Sequence, residues 1–278
     1  GVMSGAESRR WLGFILALLG PVVVLVTWEI LARTHTINPL FFPPPTSLET
    51  TARDLISSGQ LWADLRISML RVAAGFAVAA VPGVLIGVLM GLWWPVRAVV
   101  SPIAAAFFAV PKIAILPLVI IIFGIGETSK IAMVAVSVLF MVVLSTMSAV
   151  LEIEQGYFDV SRDAGANVWQ RIRTVALPAA LPGIFSGLRL ALGFSLLVIV
   201  GTEFLAAKNG IGYLIWNSYQ TFAIEKMYVG LIVTGMLGWL LNLVMDEIER
   251  VAMPWRVPER RRFSVPVPQA VRNWFMAT

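Results

Sequence analysis

The sequence predicts an all-α integral membrane protein with six transmembrane helices. Composition is the first reason, because 58% of the 278 residues are apolar and only 13% are charged, against about 25% charged residues in soluble domains. Long uncharged runs are the second reason, since about 20 apolar residues in a helix cross the roughly 30 Å hydrocarbon core of a bilayer. The distribution of basic residues is the third, and it predicts which connections face the cytoplasm.

Uncharged runs of nearly the length of a span occur at residues 11–28, 72–96, 131–151 and 227–245. Two further runs, 98–126 and 182–202, are each interrupted by one basic residue, Lys112 and Arg189 respectively. The predicted spans are therefore 11–31, 65–92, 98–123, 128–150, 182–206 and 227–250.

The connection between the first two spans contains a run of three prolines, 43–45, followed by an amphipathic pattern. We expect a short interfacial helix there, with Thr46 or Ser47 as its N-cap. In the second span, Gly83, Gly87 and Gly91 recur every four residues on one face. Small residues in this pattern favour close packing against another helix.

The third span contains Pro102, Pro111 and Pro117, and each proline removes a backbone donor. The helix should therefore be bent or broken where other protein groups or water can satisfy the freed carbonyls. Lys112 beside such a break either lines a polar pathway through the membrane or has a structural role, as a lysine that reaches the interface or as the partner of Glu203 in the fifth span. A lysine inside a membrane costs at least about 2.5–3.5 kcal/mol unless it finds water or a partner.

Other charges near the spans have simpler interpretations. We expect Arg189 to reach the membrane interface or a backbone carbonyl, and Glu127 and Lys130 to form a solvated ion pair.

Basic residues predict that both termini are cytoplasmic, because arginines concentrate in the connections on that side. Residues 1–10 are then a cytoplasmic N-terminus, 11–250 a membrane domain, and 251–278 a basic cytoplasmic tail near anionic lipid. The connection 152–180 also lies in the cytoplasm. The pI near 10.0 therefore reports topology, and no nucleic-acid partner is expected.

Several classes of function lack the residues that they need. The chain has no cysteine and one histidine, His35, so we expect no metal site and no intramembrane enzyme. No glycine precedes any lysine, so the phosphate-binding motif G-x-x-x-x-G-K-[ST] is absent. A self-contained secondary transporter remains an alternative, although no internal repeat is visible.

The connection 152–180 lies within EIEQGYFDVSRDAGANVWQRIRTVALPAAL, residues 152–181. One face at helical spacing is apolar and consists of Val168, Trp169, Ile172 and Val175. Asn167 and Gln170 form a capping-box pattern, and Gly165 can adopt the left-handed conformation that ends a preceding helix near residues 157–164. The segment is either a surface helix folded back on the bundle or a docking element.

Its spacing resembles the signature of bacterial ABC importer permeases, which reads E-A-A, three residues, Gly, nine residues, I-x-L-P. Here Asp159-Val160-Ser161 is followed by Gly165 and then by Val175-Ala176-Leu177-Pro178 at the same distances. The departures are Asp for Glu, Val-Ser for Ala-Ala and Val for Ile. PKIAILPLVIIIFGIGETSK, GLRLALG and EFLAAKNGIGYLI resemble the branch of that family that carries nitrate, sulfonates, taurine and bicarbonate.

The resemblance implies the type I ABC importer permease fold in a bacterial inner membrane. It implies a homodimer with two ATP-binding subunits, which hold ATP and Mg, and a periplasmic or lipid-anchored substrate-binding protein. The chain itself would hold no cofactor and would not be an enzyme. Its coupling helix would contact the ATPase through Asp159, Gly165, Val168, Trp169, Ile172, Val175, Leu177 and Pro178.

The implied cargo is a small anion. A neutral or heterocyclic nutrient, such as a pyrimidine vitamin precursor, is the alternative cargo for the same machinery.

Overall fold

The computed structural model describes residues 5–255, and the side chains of residues 19–255. Regular structure in this part of the chain is entirely helical. The α-helices are α1 (Gly5–Arg33), α2 (Pro45–Ser57), α3 (Gln60–Leu92), α4 (Trp94–Ala109), α5 (Leu116–Phe123), α6 (Glu127–Leu151), α7 (Gln155–Asp163), α8 (Val168–Arg171), α9 (Leu177–Ala206), α10 (Ile211–Gln220) and α11 (Ile224–Ala252). A 3₁₀ turn, Lys112–Ile115, precedes α5, and a π-helical turn, Ile172–Ala176, precedes α9.

Four helical stretches in the described residues are long and apolar enough to cross a membrane: Gln60–Leu92, Glu127–Leu151, Val168–Ala206 and Ile224–Ala252. The bent pair Trp94–Ala109 and Lys112–Phe123 could supply a fifth. The first predicted span, 11–31, falls within α1, and the predicted terminal segments 1–10 and 251–278 lie largely outside the described residues. The count of six therefore stays a prediction.

The chain divides into two compact units, and residues 46–249 form the larger one. Its core is the packing of α3 and α9 against α6, with a cluster of Ala79, Val138, Val142 and Ala191. In the other unit, α1 ends at Arg33, and His35 after it adopts a left-handed backbone with φ of 56°. The predicted short helix after the prolines is present as α2, but it begins at Pro45, one residue before the earliest predicted N-cap.

The glycine face of α3 packs against α6, as predicted. A Cβ atom at Gly83 would lie 2.9 Å from the Val142 side chain, and one at Gly87 would lie 2.7 Å from the Val143 carbonyl oxygen. Only a hydrogen in place of the side chain allows the two helices to approach so closely. Gly187 on α9 faces Ser145 of α6 in the same way.

The predicted break of the third span is present at Pro111, where the chain turns by 92° between α4 and the segment that follows. Val110 and Pro111 are extended, with ψ angles of 129° and 115°. The turn follows from proline chemistry, since Pro111 has no N–H for the helix ladder and disfavours a helical residue before it.

Candidate functional site

The segment 155–176 consists of two short helices that meet at Gly165. Gly165 has φ of 75°, and its N–H donates to the Arg162 carbonyl at 2.9 Å. The N–H of Ala166 donates to the Ser161 carbonyl at 3.0 Å, which closes α7. This is the predicted left-handed bend.

The predicted capping box starts the second helix. The Gln170 N–H donates to Asn167 Oδ1 at 2.9 Å, and the Asn167 N–H donates to Gln170 Oε1 at 2.8 Å. These two bonds satisfy backbone donors that a helix start would otherwise leave free.

No break separates this second helix from the long helix α9. The π-helical turn joins α8 to α9, and the Leu177 N–H bonds to the Ile172 carbonyl across five residues. The change of register accompanies Pro178, which cannot donate to the helix ladder. Residues 168–206 are thus one continuous helical stretch, long and apolar enough to cross a membrane.

The apolar residues of α8 and of the π-helical turn after it differ in exposure. Trp169 has 69% of its surface uncovered by the chain, and Val168 is also exposed. Ile172 and Val175 are half-buried, and Val168 and Ile172 line a pocket of about 270 Å³ against the ends of α3 and α6. Asp159 is exposed and lies 3.6 Å from Arg162. Among Val168, Trp169, Ile172 and Val175, Trp169 is therefore the most exposed.

A buried polar network, which the sequence analysis did not find, lies at the opposite end of α3. Arg71 is its centre, with Nη1 2.7 Å from Glu203 Oε1, and Nε and Nη2 2.6 and 2.7 Å from the two Glu127 oxygens. Arg71 also donates to the Asn209 carbonyl at 3.0 Å and to its side chain at 2.6 Å. The network ties together α3, α6, α9 and the turn before α10.

The same network fixes the start of α10, a helix that was not predicted. The N–H groups of Gly210, Ile211 and Gly212 each reach a side chain of another helix. Their acceptors are Asp64 at 2.7 Å, Ser68 at 2.9 Å and Glu203 at 2.9 Å, in that order. Carboxylates at a helix N-terminus are favoured by free N–H groups and by the helix dipole.

Three expectations about charged residues need correction. The proposed Lys112–Glu203 pair is wrong, because Glu203 is fully buried against Arg71 and Ser68. The Glu127–Lys130 pair exists at 3.1 Å, but Lys130 is buried and Glu127 also holds Arg71. The sequence signal for these contacts was the presence of ionisable residues in or near the predicted spans. Sequence alone does not show which of these residues pair with one another.

Arg189 is the third correction, because within the described residues its guanidinium binds carboxylates rather than a backbone carbonyl. Its guanidinium forms ion pairs with Asp246 at 2.6 Å and with Glu249 at 2.5 Å, which link α9 to α11.

The Lys112 side chain is bound to backbone carbonyls of the residues just before it. Its ammonium donates to the carbonyls of Phe107, Phe108 and Val110 at 2.5, 3.1 and 3.0 Å. A cation is favourable there, because the last carbonyls of a helix have no intrahelical partner and carry the negative end of its dipole. Lys112 therefore stabilises the end of α4 at the Pro111 break. No group of His, Cys, Asp and Glu able to hold a metal ion occurs within the described residues.

Comparisons with known proteins agree with this architecture. Residues 83–255 match the family described as "Binding-protein-dependent transport system inner membrane component". The chain is 32% identical to SsuC of Bacillus subtilis, named for transport of aliphatic sulfonates, over 90% of each chain. It is 32% identical to the taurine transport permease TauC of Escherichia coli, over 85% of this chain and 88% of that one.

A solved structure of the MetNI methionine ABC transporter in an inward-facing conformation is also similar. It shares 26% identity with a TM-score of 0.57, over 69% of this chain and 94% of that one. One assignment follows from the all-helical fold, the signature spacing around Gly165 and the match over 83–255. The chain belongs to the family of inner membrane components of binding-protein-dependent transport systems, and it is a transport component rather than an enzyme.

Proposed function

We propose that this chain is the permease subunit of an importer for a small organic anion of the sulfonate class. The observation that carries the proposal is its 32% identity, over most of each chain, to permeases named for aliphatic sulfonates and for taurine. The two named cargoes share a sulfonate group, which is a compact, permanently charged anion. No separate observation favours the neutral or heterocyclic cargo.

The segment 155–176 is proposed to dock on a separate ATP-binding subunit in the cytoplasm. Its support is the outward position of Trp169, since exposed aromatic residues dominate the energetics of many protein interfaces. The unbroken helical connection from α8 to α9 gives docking a mechanical consequence. Asp159, Gly165, Val175, Leu177 and Pro178 belong to the same proposed element.

The proposed assembly has two copies of this chain, two ATP-binding subunits that hold ATP and Mg, and an external substrate-binding protein. It lies in a bacterial inner membrane with both termini in the cytoplasm. Family membership supports this arrangement. The cargo crosses between the two copies by alternating access.

Lys112 is proposed to contribute positive charge to the anion pathway. All three of its donors are directed at carbonyls, so it would act on cargo through its field and not through a direct hydrogen bond. Glu203 is fully buried and paired with Arg71, and its role is to hold α3, α9 and α10 together.

The cargo is tested by reconstitution. The binding protein that co-purifies with the complex is titrated calorimetrically with taurine, an alkanesulfonate, bicarbonate, nitrate and a pyrimidine. The complete complex in liposomes is then tested for ATP-driven uptake of each binder, with the isolated chain as a control that should hydrolyse no ATP. Selective binding and uptake of the pyrimidine would overturn the sulfonate assignment.

Docking is tested by changing Trp169 to Ala and measuring the affinity of the complex for its ATP-binding subunit. Loss of an aromatic anchor typically costs at least about 2 kcal/mol, so we expect roughly 30-fold weaker binding. Trp62→Ala is the matched control, because Trp62 is equally exposed near the other end of α3. Equal affinity of the Trp169 variant and the native chain would contradict the docking role.

A further inference from the structure

The pocket of about 270 Å³ lies between the α7–α8 segment and the ends of α3 and α6. Most of the residues that line it have apolar side chains, Leu92, Trp93, Val150, Phe158 and Ile172 among them, although somewhat more of the lining surface is polar than apolar. The polar residues that line it are Gln155, Arg162 and Arg171. Two arginines thus line a cavity of mixed polar and apolar surface, and no carboxylate lines it within the described residues.

Arg171 is the group that needs an explanation. Its Nε is buried and has no hydrogen-bond partner within the described residues. A buried donor without an acceptor costs free energy, so native structures nearly always supply a protein, water or ligand acceptor. Arg162, at the same pocket, has the 3.6 Å contact with exposed Asp159 as its one ion pair in the part of the chain that the structure describes, and it can reorient.

The chemistry of the two side chains selects the ligand class. Guanidinium groups bind phosphate oxygens with paired N–H donors, and such charge-assisted bonds are about twice as strong as neutral ones. A sulfate-sized or phosphate-sized anion fits within a cavity of this volume. An inorganic anion would leave the apolar side chains of the cavity uncovered, whereas a ligand with a hydrocarbon part would cover them.

The position of the pocket indicates the source of such a ligand. It lies where two apolar helices, α3 and α6, end, and Trp93 and Trp94 at this level are uncovered. Tryptophan is enriched at the membrane–water interface, where lipid headgroups lie. Basic pockets between helices at this level bind anionic headgroups.

We propose that this pocket is a binding site for a phosphate group, held by Arg171 and Arg162, and that an anionic phospholipid supplies it. A lipid in this position would connect the α7–α8 segment to the ends of α3 and α6. The proposal does not depend on the cargo or on docking of an ATPase.

The test uses the full chain purified in detergent and stripped of lipid. Phosphatidylglycerol or phosphatidylcholine is added back, and the lipid retained per chain is measured by native mass spectrometry. Arg171→Gln should lower retention of phosphatidylglycerol by roughly ten-fold or more, as expected for loss of a charge-assisted contact. Arg162→Gln should have a smaller effect. Arg173→Gln is the matched control, because Arg173 is a neighbouring exposed arginine that does not line the pocket.

A second arm measures binding of radiolabelled inorganic phosphate by equilibrium dialysis. Phosphatidylglycerol binding that depends on Arg171, without binding of free phosphate, supports the lipid. Binding of free phosphate that depends on Arg171, without lipid retention, keeps the phosphate site but overturns its lipid source. Retention that is equal in the native chain, Arg171→Gln and Arg173→Gln would show that water satisfies the Arg171 Nε and would overturn the site.

Discussion

The Arg71 guanidinium lies 2.7 Å from the Glu203 carboxylate, and the two side chains are only 1% and 0% exposed. The pair joins α3 to α9 across 132 residues of sequence. Burying both charges is costly, and the surrounding donors compensate for it: Ser68 and the Gly212 N–H also bind Glu203. Glu203 therefore has a structural function, with Arg71 rather than Lys112 as its partner.

Glu203→Gln should destabilise the chain strongly, because Arg71 would lose a buried counter-charge. Removing one partner of a buried pair typically costs about 3–5 kcal/mol. The measurement is the thermal unfolding midpoint in detergent. Glu127→Gln is the comparison, since Glu127 also binds Arg71 but its side chain is 51% exposed, and it should cost less. A larger loss for Glu127→Gln would contradict the central role given to the Arg71–Glu203 pair.

Gly87→Ala should destabilise the contact between α3 and α6. The added Cβ would lie 2.5 Å from Thr146 Cβ and 2.7 Å from the Val143 carbonyl oxygen, so the helices must separate. Overpacking of this kind typically costs about 1–3 kcal/mol. Gly193→Ala in α9 is the control, because its Cβ meets no atom within 4 Å. Unfolding midpoints that fall equally for both variants would show that close approach is not the cause.

Gly165→Val should uncouple ATP hydrolysis from uptake while the helical bundle stays intact. Open space surrounds the position, so the effect comes from the backbone, whose φ of 75° disfavours a β-branched residue. A left-handed conformation costs such residues roughly 1–2 kcal/mol. Uptake per ATP hydrolysed is the readout in liposomes.

Gly156→Val is its control, because Gly156 is equally open and lies within α7 without a positive φ. Native uptake per ATP in the Gly165 variant would contradict the importance of the bend.

Lys112→Met should lower the unfolding midpoint, because three carbonyls at the end of α4 lose their donor. A cation at an exposed helix C-terminus is typically worth about 0.3–1 kcal/mol, and Lys112→Arg should restore part of the loss by keeping a cation there. Anion uptake measured on the same variants tests the pathway role. If Lys112→Met lowers the unfolding midpoint but uptake stays at the native rate, Lys112 only stabilises the end of α4 and has no role in the pathway.

Local features of the fold were predictable from sequence because they depend on neighbours along the chain. The apolar runs predicted most of the long helices, and Pro111 predicted the break. Asn167 with Gln170 predicted a helix start, and Gly165 predicted the left-handed bend, since both are consequences of backbone sterics and hydrogen bonding within a few residues. The signature spacing also identified the family.

Only the tertiary structure decided which charges meet. Arg71 pairs with Glu203 and Glu127 across 132 and 56 residues, whereas Lys112 turns to carbonyls at most five residues away. Hydropathy and helical periodicity specify that a helix forms and which face is apolar, but they carry no information about which helix packs beside it. The start of α10 illustrates the same limit, because its N–H groups are capped by side chains from α3 and α9 that are neighbours only after the bundle has assembled.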